Sequence, residues 1–100
     1  ICFQSNSEGE MIDQVHYALD LNVQCILINP AAYTHTSIAL RDAFLSTSIP
    51  FYEVHITDIN DREDFRKISY LQDIAQKSFI GHGVQGYEIA LLHAIKEMRT

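Results

Sequence analysis

The sequence predicts an α/β fold in which helices cover both faces of a parallel sheet. Two observations carry that expectation. Short apolar runs bounded by polar or proline residues alternate with longer stretches whose apolar residues recur every three or four positions. The run Val23-Gln24-Cys25-Ile26-Leu27-Ile28 is almost continuously apolar, as a strand buried on both faces must be, and strands of that kind belong to parallel sheets. With a single helix or loop between successive strands, the connections cross over the sheet and the strands run parallel.

The elements follow in order. Ile1-Cys2-Phe3 reads as the end of a strand. Ser7 and Glu10 have the spacing of a capping box, which satisfies the orphan N–H groups of a helix start. Met11, Ile12, Val15, Ala18 and Leu19 carry that helix forward until Asp20-Leu21-Asn22 interrupts it. The strand over 23–28 stops at Asn29-Pro30. After a loop from Ala31 to His35, Thr36 or Ser37 caps a second helix through Ile38, Ala39, Ala43 and Leu45, which ends in Ser46-Thr47-Ser48. Pro50 introduces a third strand, Phe51 to Ile56. A polar loop, Thr57 to Asp61, leads to a short charged helix from Arg62 to Lys67 and a loosely patterned stretch to Lys77. Ser78-Phe79-Ile80 forms a fourth strand. The last helix is marked by Tyr87, Ala90, Leu91, Ala94, Ile95 and Met98 along one stripe.

Composition bounds the function. The chain has 100 residues, with 7 Lys and Arg against 13 Asp and Glu and a formal charge of −6. That length supports one domain, residues 1–100, around one core. The mixed charges and high apolar content exclude intrinsic disorder. An acidic balance excludes a nucleic-acid or anionic-membrane surface, which needs a basic field, and the apolar runs are too short for a membrane span. Cys2 and Cys25 lie in apolar runs without paired spacing, so both are expected as reduced, buried thiols of an intracellular, cytoplasmic protein. The chain opens at Ile1 in mid-strand without an initiator Met, so a preceding segment is expected.

Alternation along Phe51-Tyr52-Glu53-Val54-His55-Ile56 places Glu53 and His55 on the same side of one strand, at its C-terminal end. Ligands of open α/β sheets bind beyond the carboxyl ends of the strands. A carboxylate beside an imidazole there can orient the ring and fix its tautomer, as a general acid or base requires. A satisfied structural pair, or an edge strand facing solvent, would show the same pattern. Asn29 and His35 bracket the loop leaving the second strand and approach the same edge, although each has a plain structural reading as a strand terminator or a surface residue. Arg62 and Arg66, four apart on one helical face, can fork onto a small anion or pair with Glu63 and Asp64. Asp42 reads as a solvent-facing residue. Gly81-His82-Gly83-Val84-Gln85-Gly86 matches GxGxxG, but only one helix follows it, with no further strand or acidic residue at the required distance, so the glycines are assigned to a tight turn and close helix packing. The five histidines have no HxH or HExxH spacing, so a metal site is weakly supported.

Five blocks taken together and in order resemble the type II 3-dehydroquinate dehydratases, the type II dehydroquinases of the shikimate and quinate pathways. They are Phe3-Gln4-Ser5-Asn6-Ser7-Glu8-Gly9-Glu10, Ile28-Asn29-Pro30-Ala31-Ala32-Tyr33-Thr34-His35-Thr36-Ser37, Glu53-Val54-His55-Ile56-Thr57, Arg62-Glu63-Asp64-Phe65-Arg66 and Gly83-Val84-Gln85-Gly86-Tyr87. The resemblance implies a flavodoxin-like three-layer sandwich, trimers that assemble into a dodecamer, and trans-dehydration of 3-dehydroquinate to 3-dehydroshikimate without metal or cofactor. Carried over by position, it makes His55 the general acid supported by Glu53. Asn29, His35 and Arg66 would bind the substrate's ring hydroxyls, the backbone N–H groups of Ile56 and Thr57 its carboxylate, and Asp42 would reach the site of a neighbouring subunit. Arg62 fits a supporting position near the interface. Members of the family are longer at the N-terminus, where a strand, a helix and a mobile lid carry an Asn, an Arg and the Tyr that acts as base. None of Tyr17, Tyr33, Tyr52, Tyr70 or Tyr87 matches that Tyr, so no base is assigned. In the strand order 2-1-3-4-5 that first strand lies between Ile1–Phe3 and the strand over 23–28. Thr57 stands where Ser is common, and Asp58 where Asn is common. Two other readings are a non-catalytic binding or assembly module for small hydroxy acids and a nucleotide-binding domain using the terminal glycines.

Overall fold

A computed structural model describes residues 5, 7–56 and 63–98, with Arg66 by its backbone alone. Helix α1 (Glu8–Asp20) leads to strand β1 (Ile26–Ile28), a 3-10 turn (Ala31–His35) and helix α2 (Ile38–Thr47). Strand β2 (Phe51–His55), a second 3-10 turn (Asp64–Arg66), strand β3 (Lys77–Ile80) and helix α3 (Gln85–Met98) complete the order. The three strands form one parallel sheet, ordered β1-β2-β3, with Ile28 opposite Glu53, Glu53 opposite Ser78 and His55 opposite Ile80. The parallel α/β architecture expected from the sequence is the one observed.

Alternation on β2 divides the core. Phe51 packs with Val15 of α1 and Leu40, Ala43 and Phe44 of α2, backed by Ile26 and Ile28; the rings of Phe44 and Phe51 stack 3.9 Å apart. Tyr52 and Val54 point the other way, onto Phe79 and onto Ala90 and Ala94 of α3. Helices thus cover both faces, and Glu53 and His55 share the α1/α2 side with Phe51. Every residue of β2 is buried, so the solvent-facing edge strand is ruled out.

Several boundaries differ from the sequence reading, each for a local reason. The strand expected over 23–28 is shortened because the Val23 N–H returns to the Ala18 carbonyl at 3.1 Å, past Asn22 in the left-handed region (φ 57°). Val23 therefore closes helix α1, and the ladder begins where the Ile26 N–H meets the Pro50 carbonyl at 3.0 Å. Only half of the capping box forms: Ser7 Oγ accepts the Glu10 N–H, while the Glu10 carboxylate takes the Ser5 hydroxyl. Ser37, not Thr36, caps α2, accepting the Leu40 N–H at 2.9 Å. The expected loop at 31–35 winds into a 3-10 turn, and the expected charged helix is one 3-10 turn closed by the Lys67 N–H on the Asp64 carbonyl. Strand β2 ends at His55, one residue short of the expected Ile56, and β3 starts at Lys77, one residue before the expected Ser78.

The α3 stripe is narrower than its periodicity suggested. Gly86, Ala90 and Ala94 face the sheet, while Leu91 and Met98 stay about half exposed, because small residues let the helix approach closely. A Cβ on Gly86 would stand 3.2 Å from Val54 Cγ1. Gly81 (φ 80°) and Gly83 (φ 63°) supply the left-handed turn before it, which is the turn-and-packing role read from the sequence. Cys25 is a free, partly buried thiol whose pKa burial pushes up. The readings for Ile1–Phe3, Cys2, Thr57–Asp61 and Arg62 lie outside the described residues. Among the described residues, no helix is long and apolar enough to cross a membrane.

Ser48 closes α2 in the left-handed region (φ 56°) and is exposed, a conformation that costs a residue with a Cβ about 1 kcal/mol. Ser48→Gly is therefore expected to stabilise the full-length protein by about 0.5–1 kcal/mol. Thermal unfolding checks this, and a lower Tm would contradict the assignment.

Candidate active site

The site is built at the carboxyl edge of the sheet, where β2 ends beside the two 3-10 turns. Glu53 lies at 0% exposure and His55 at 4%. The Glu53 carboxylate is surrounded: Oε2 accepts from the hydroxyls of Thr34 (3.0 Å) and Ser69 (2.7 Å), and Oε1 from Ser78 on the adjacent strand at 3.4 Å. His55 Nε2 stands 3.1 Å from Oε1, at ion-pair distance. The ring is not aligned for a directed hydrogen bond along that line, and among the described residues the buried nitrogen has no aligned acceptor. The contact is a close approach of imidazole to carboxylate, an ion pair when the ring is protonated.

Burial pushes the Glu53 carboxyl up, but the His55 ring, the Ser69 hydroxyl, the attraction of a charged His55 and the Thr34 hydroxyl together hold it below its ordinary value. An ionised carboxylate is therefore maintained where water is excluded.

The remaining candidates are placed as follows. Asn29 follows β1 and is fixed at both ends: Oδ1 accepts the Ala31 N–H at 3.0 Å and Nδ2 donates to Tyr87 Oη at 2.9 Å. Ala31 is in the left-handed region (φ 52°), a strained conformation that this hydrogen bond helps to hold. His35 Nδ1 meets the Ile68 carbonyl at 2.6 Å; a carbonyl only accepts, so Nδ1 carries the hydrogen and Nε2 of the neutral ring is left as an acceptor. Ile56 is 40% exposed just past β2, its carbonyl taking the Gly83 N–H at 3.0 Å. Asp42 is exposed on α2 and is not drawn toward Glu53 and His55 within this chain. Arg66 contributes only its backbone to the description, in the second 3-10 turn, and Thr57 and Arg62 lie outside the described residues.

The structure therefore gathers Glu53, His55 and the turn that carries His35. It also supplies partners the sequence reading missed: Thr34, Ser69, Ser78, Tyr87 and Arg41. Arg41 forks onto Asp73 and donates to the Tyr70 carbonyl at 2.8 Å, fastening the 69–73 segment over α2. The Tyr70 N–H in turn reaches the Thr34 carbonyl at 2.7 Å. Serine and threonine carry no periodic signal, and Ser69 meets Glu53 across 16 residues of sequence; only Thr34, next to His35 in the loop, was within reach of local reasoning.

A carboxyl held low contributes stability that is fully present above the unfolded-state value near 4.5 and lost as pH falls through the lower folded value. Glu53→Gln is expected to cost about 1–3 kcal/mol at pH 7, a difference that shrinks once the solution is acidified below about pH 4. Urea unfolding of both full-length proteins at neutral and acidic pH checks this, and a difference independent of pH would contradict it.

Residues 1–95 match the family described as Dehydroquinase class II. The 3-dehydroquinate dehydratase of Histophilus somni (strain 2336) is 59% identical over 93 residues, which are 93% of this chain and 61% of the relative. Catabolic 3-dehydroquinase 2 of Neosartorya fischeri is 51% identical over 96 residues, 96% of this chain and 63% of that protein. The type II dehydroquinase structure from Butyrivibrio crossotus superposes with a TM-score of 0.88 at 42% identity, covering 100% of this chain and 67% of that one. The chain spans 61–63% of the length of these two curated relatives. A matching family over nearly the whole chain and a shared parallel fold lead to one conclusion: the chain belongs to the class II dehydroquinase family.

Proposed function

We propose that this chain carries the acid and substrate-holding part of a 3-dehydroquinate dehydratase, a hydro-lyase that eliminates water from 3-dehydroquinate to give 3-dehydroshikimate. The observation that carries the reading is His55, buried at the end of β2, with Nε2 beside an ionised Glu53 and no aligned acceptor among the described residues. An N–H in that position can be given to a departing hydroxyl, and the carboxylate steadies the imidazolium until it is. A base first removes a proton α to the ketone, the enolate is stabilised, and His55 then expels the β-hydroxyl as water. No base is assigned within this chain.

Asn29 has one N–H and one lone pair left after its bonds to Tyr87 and Ala31, and His35 keeps Nε2; both suit the ring hydroxyls of the substrate, with Arg66 as a third contact. The backbone N–H groups of Ile56 and Thr57 would take the carboxylate. Asp42, exposed on α2, would act in the site of a neighbouring subunit, in trimers that build a dodecamer. The remainder of the reading is a single α/β domain over residues 1–100, cytoplasmic, working in the shikimate or quinate pathway. The sequence likeness to named 3-dehydroquinate dehydratases supports the substrate.

In the full-length protein, His55→Ala is expected to lower kcat by about 10²–10⁴-fold while leaving assembly unchanged, as followed by the ultraviolet absorbance of the conjugated product and by sedimentation. Full activity in that variant would overturn the role. Asn29→Ala is expected to raise KM for 3-dehydroquinate more than it lowers kcat; an unchanged KM would remove Asn29 from the substrate contacts.

A further inference from the structure

The hydroxyl cluster around Glu53 has a direction that follows from counting protons and lone pairs. Ser69 Oγ accepts the N–H groups of Leu71 and Gln72, each at 3.1 Å, which fills both of its acceptor positions. Its own hydrogen must then point outward, where Glu53 Oε2 and Thr34 Oγ1 both lie 2.7 Å away. Thr34 finds no lone pair left on Ser69, so its hydrogen goes to Glu53 Oε2 at 3.0 Å. The Thr34 and Ser69 hydroxyls are thereby aimed, directly or through Thr34, at Oε2, while Ser78 donates to Oε1. Two backbone N–H groups polarise the Ser69 hydroxyl and strengthen the bond it donates. The turn that holds Ser69 is anchored by Leu71, which is fully buried in the core.

We propose that Ser69 is a positioning residue for the acid step: by donating toward Glu53 Oε2 it keeps the carboxyl ionised, so that the proton to be delivered stays on the His55 imidazole. Without that donor, a carboxyl at 0% exposure gains proton affinity, and the proton moves from the group that must deliver it to one that cannot. Among the described residues, the groups facing Glu53 are His55 from its own strand, Ser78 from β3, Thr34 from the first 3-10 turn, and Ser69. The inference rests on the reading of His55 as the general acid. A Ser69 that only capped its turn would affect stability but not the titration of Glu53.

The test compares Ser69→Ala, Ser69→Cys and Ser69→Thr with the wild-type full-length protein. Two readouts are taken: the pH dependence of kcat/KM for 3-dehydroquinate, and the titration midpoint of the Glu53 side-chain carboxyl carbon by NMR. In Ser69→Ala the acidic limb of the profile and the Glu53 midpoint are both expected to rise by about one pH unit, with KM at neutral pH changed less than about twofold. Ser69→Thr, which keeps the hydroxyl, restores both. Ser69→Cys, a weaker donor, gives an intermediate rise and serves if Ser69→Ala does not fold. Midpoints that stay at the wild-type position in the alanine or cysteine variant overturn the proposal, whatever happens to kcat. Failure of the wild type to turn over 3-dehydroquinate sinks the dehydratase reading alone; the Glu53 midpoint then still decides the Ser69 assignment, a rise supporting it and no rise overturning it.

Discussion

Taking an ionised carboxylate out of water is unfavourable by several kcal/mol unless its oxygens are matched, and Glu53 lies at 0% exposure in the middle strand of the sheet. What surrounds it is therefore constrained. Thr34 and Ser69 occupy one oxygen, His55 and Ser78 the other. Beside His55 of the same strand, those partners come from three segments distant from Glu53 in sequence, so satisfying one carboxylate fixes the first 3-10 turn, the 69–72 turn and the β2–β3 register at once. The apolar core supplies the opposing term. A buried Leu or Val contributes roughly 1.5–3 kcal/mol, and Leu40, Val54 and Leu71, all at 0% exposure, flank the elements that carry the polar cluster.

The same constraint links fold to chemistry. Parallel strands end together at one edge, and alternation on β2 sends Glu53 and His55 to the α1/α2 side of it. The turn that follows β1 returns over that edge because Pro30, the strained Ala31 and the Asn29 side chain turn the chain back. His35 and Thr34 arrive as neighbours in one turn, the first held by the Ile68 carbonyl and the second by Glu53. Asn29, Thr34, His35, Glu53 and Ser69 are each held by backbone or by a second side chain, which fixes their positions in the site.

Much of this was legible in the sequence. The Glu53/His55 spacing on an alternating strand gave the pair, Asn29-Pro30 gave the strand end, and helical periodicity gave all three helices. The misses have physical causes. The 23–28 run was read as strand throughout because apolarity does not reveal that the Val23 N–H still belongs to helix α1. The α3 stripe looked wider than it is because periodicity counts Leu91 and Met98 alongside the alanines that touch the sheet. Ser69 and Ser78 were invisible because hydroxyl residues are common in loops and at strand ends, and only tertiary structure shows which of them meets a carboxylate.

The central claim is that His55 delivers the proton in the second half of the reaction, after the carbanionic step. The most direct measurement is incubation of the full-length His55→Ala protein with 3-dehydroquinate in deuterated water, following by NMR both deuterium entry α to the ketone and formation of the enone. Exchange that continues while enone formation is lost is the expected result, since the enolate then forms and returns without an acid to expel the hydroxyl. Loss of exchange together with dehydration, or dehydration at the wild-type rate, would contradict the assignment of that step to His55.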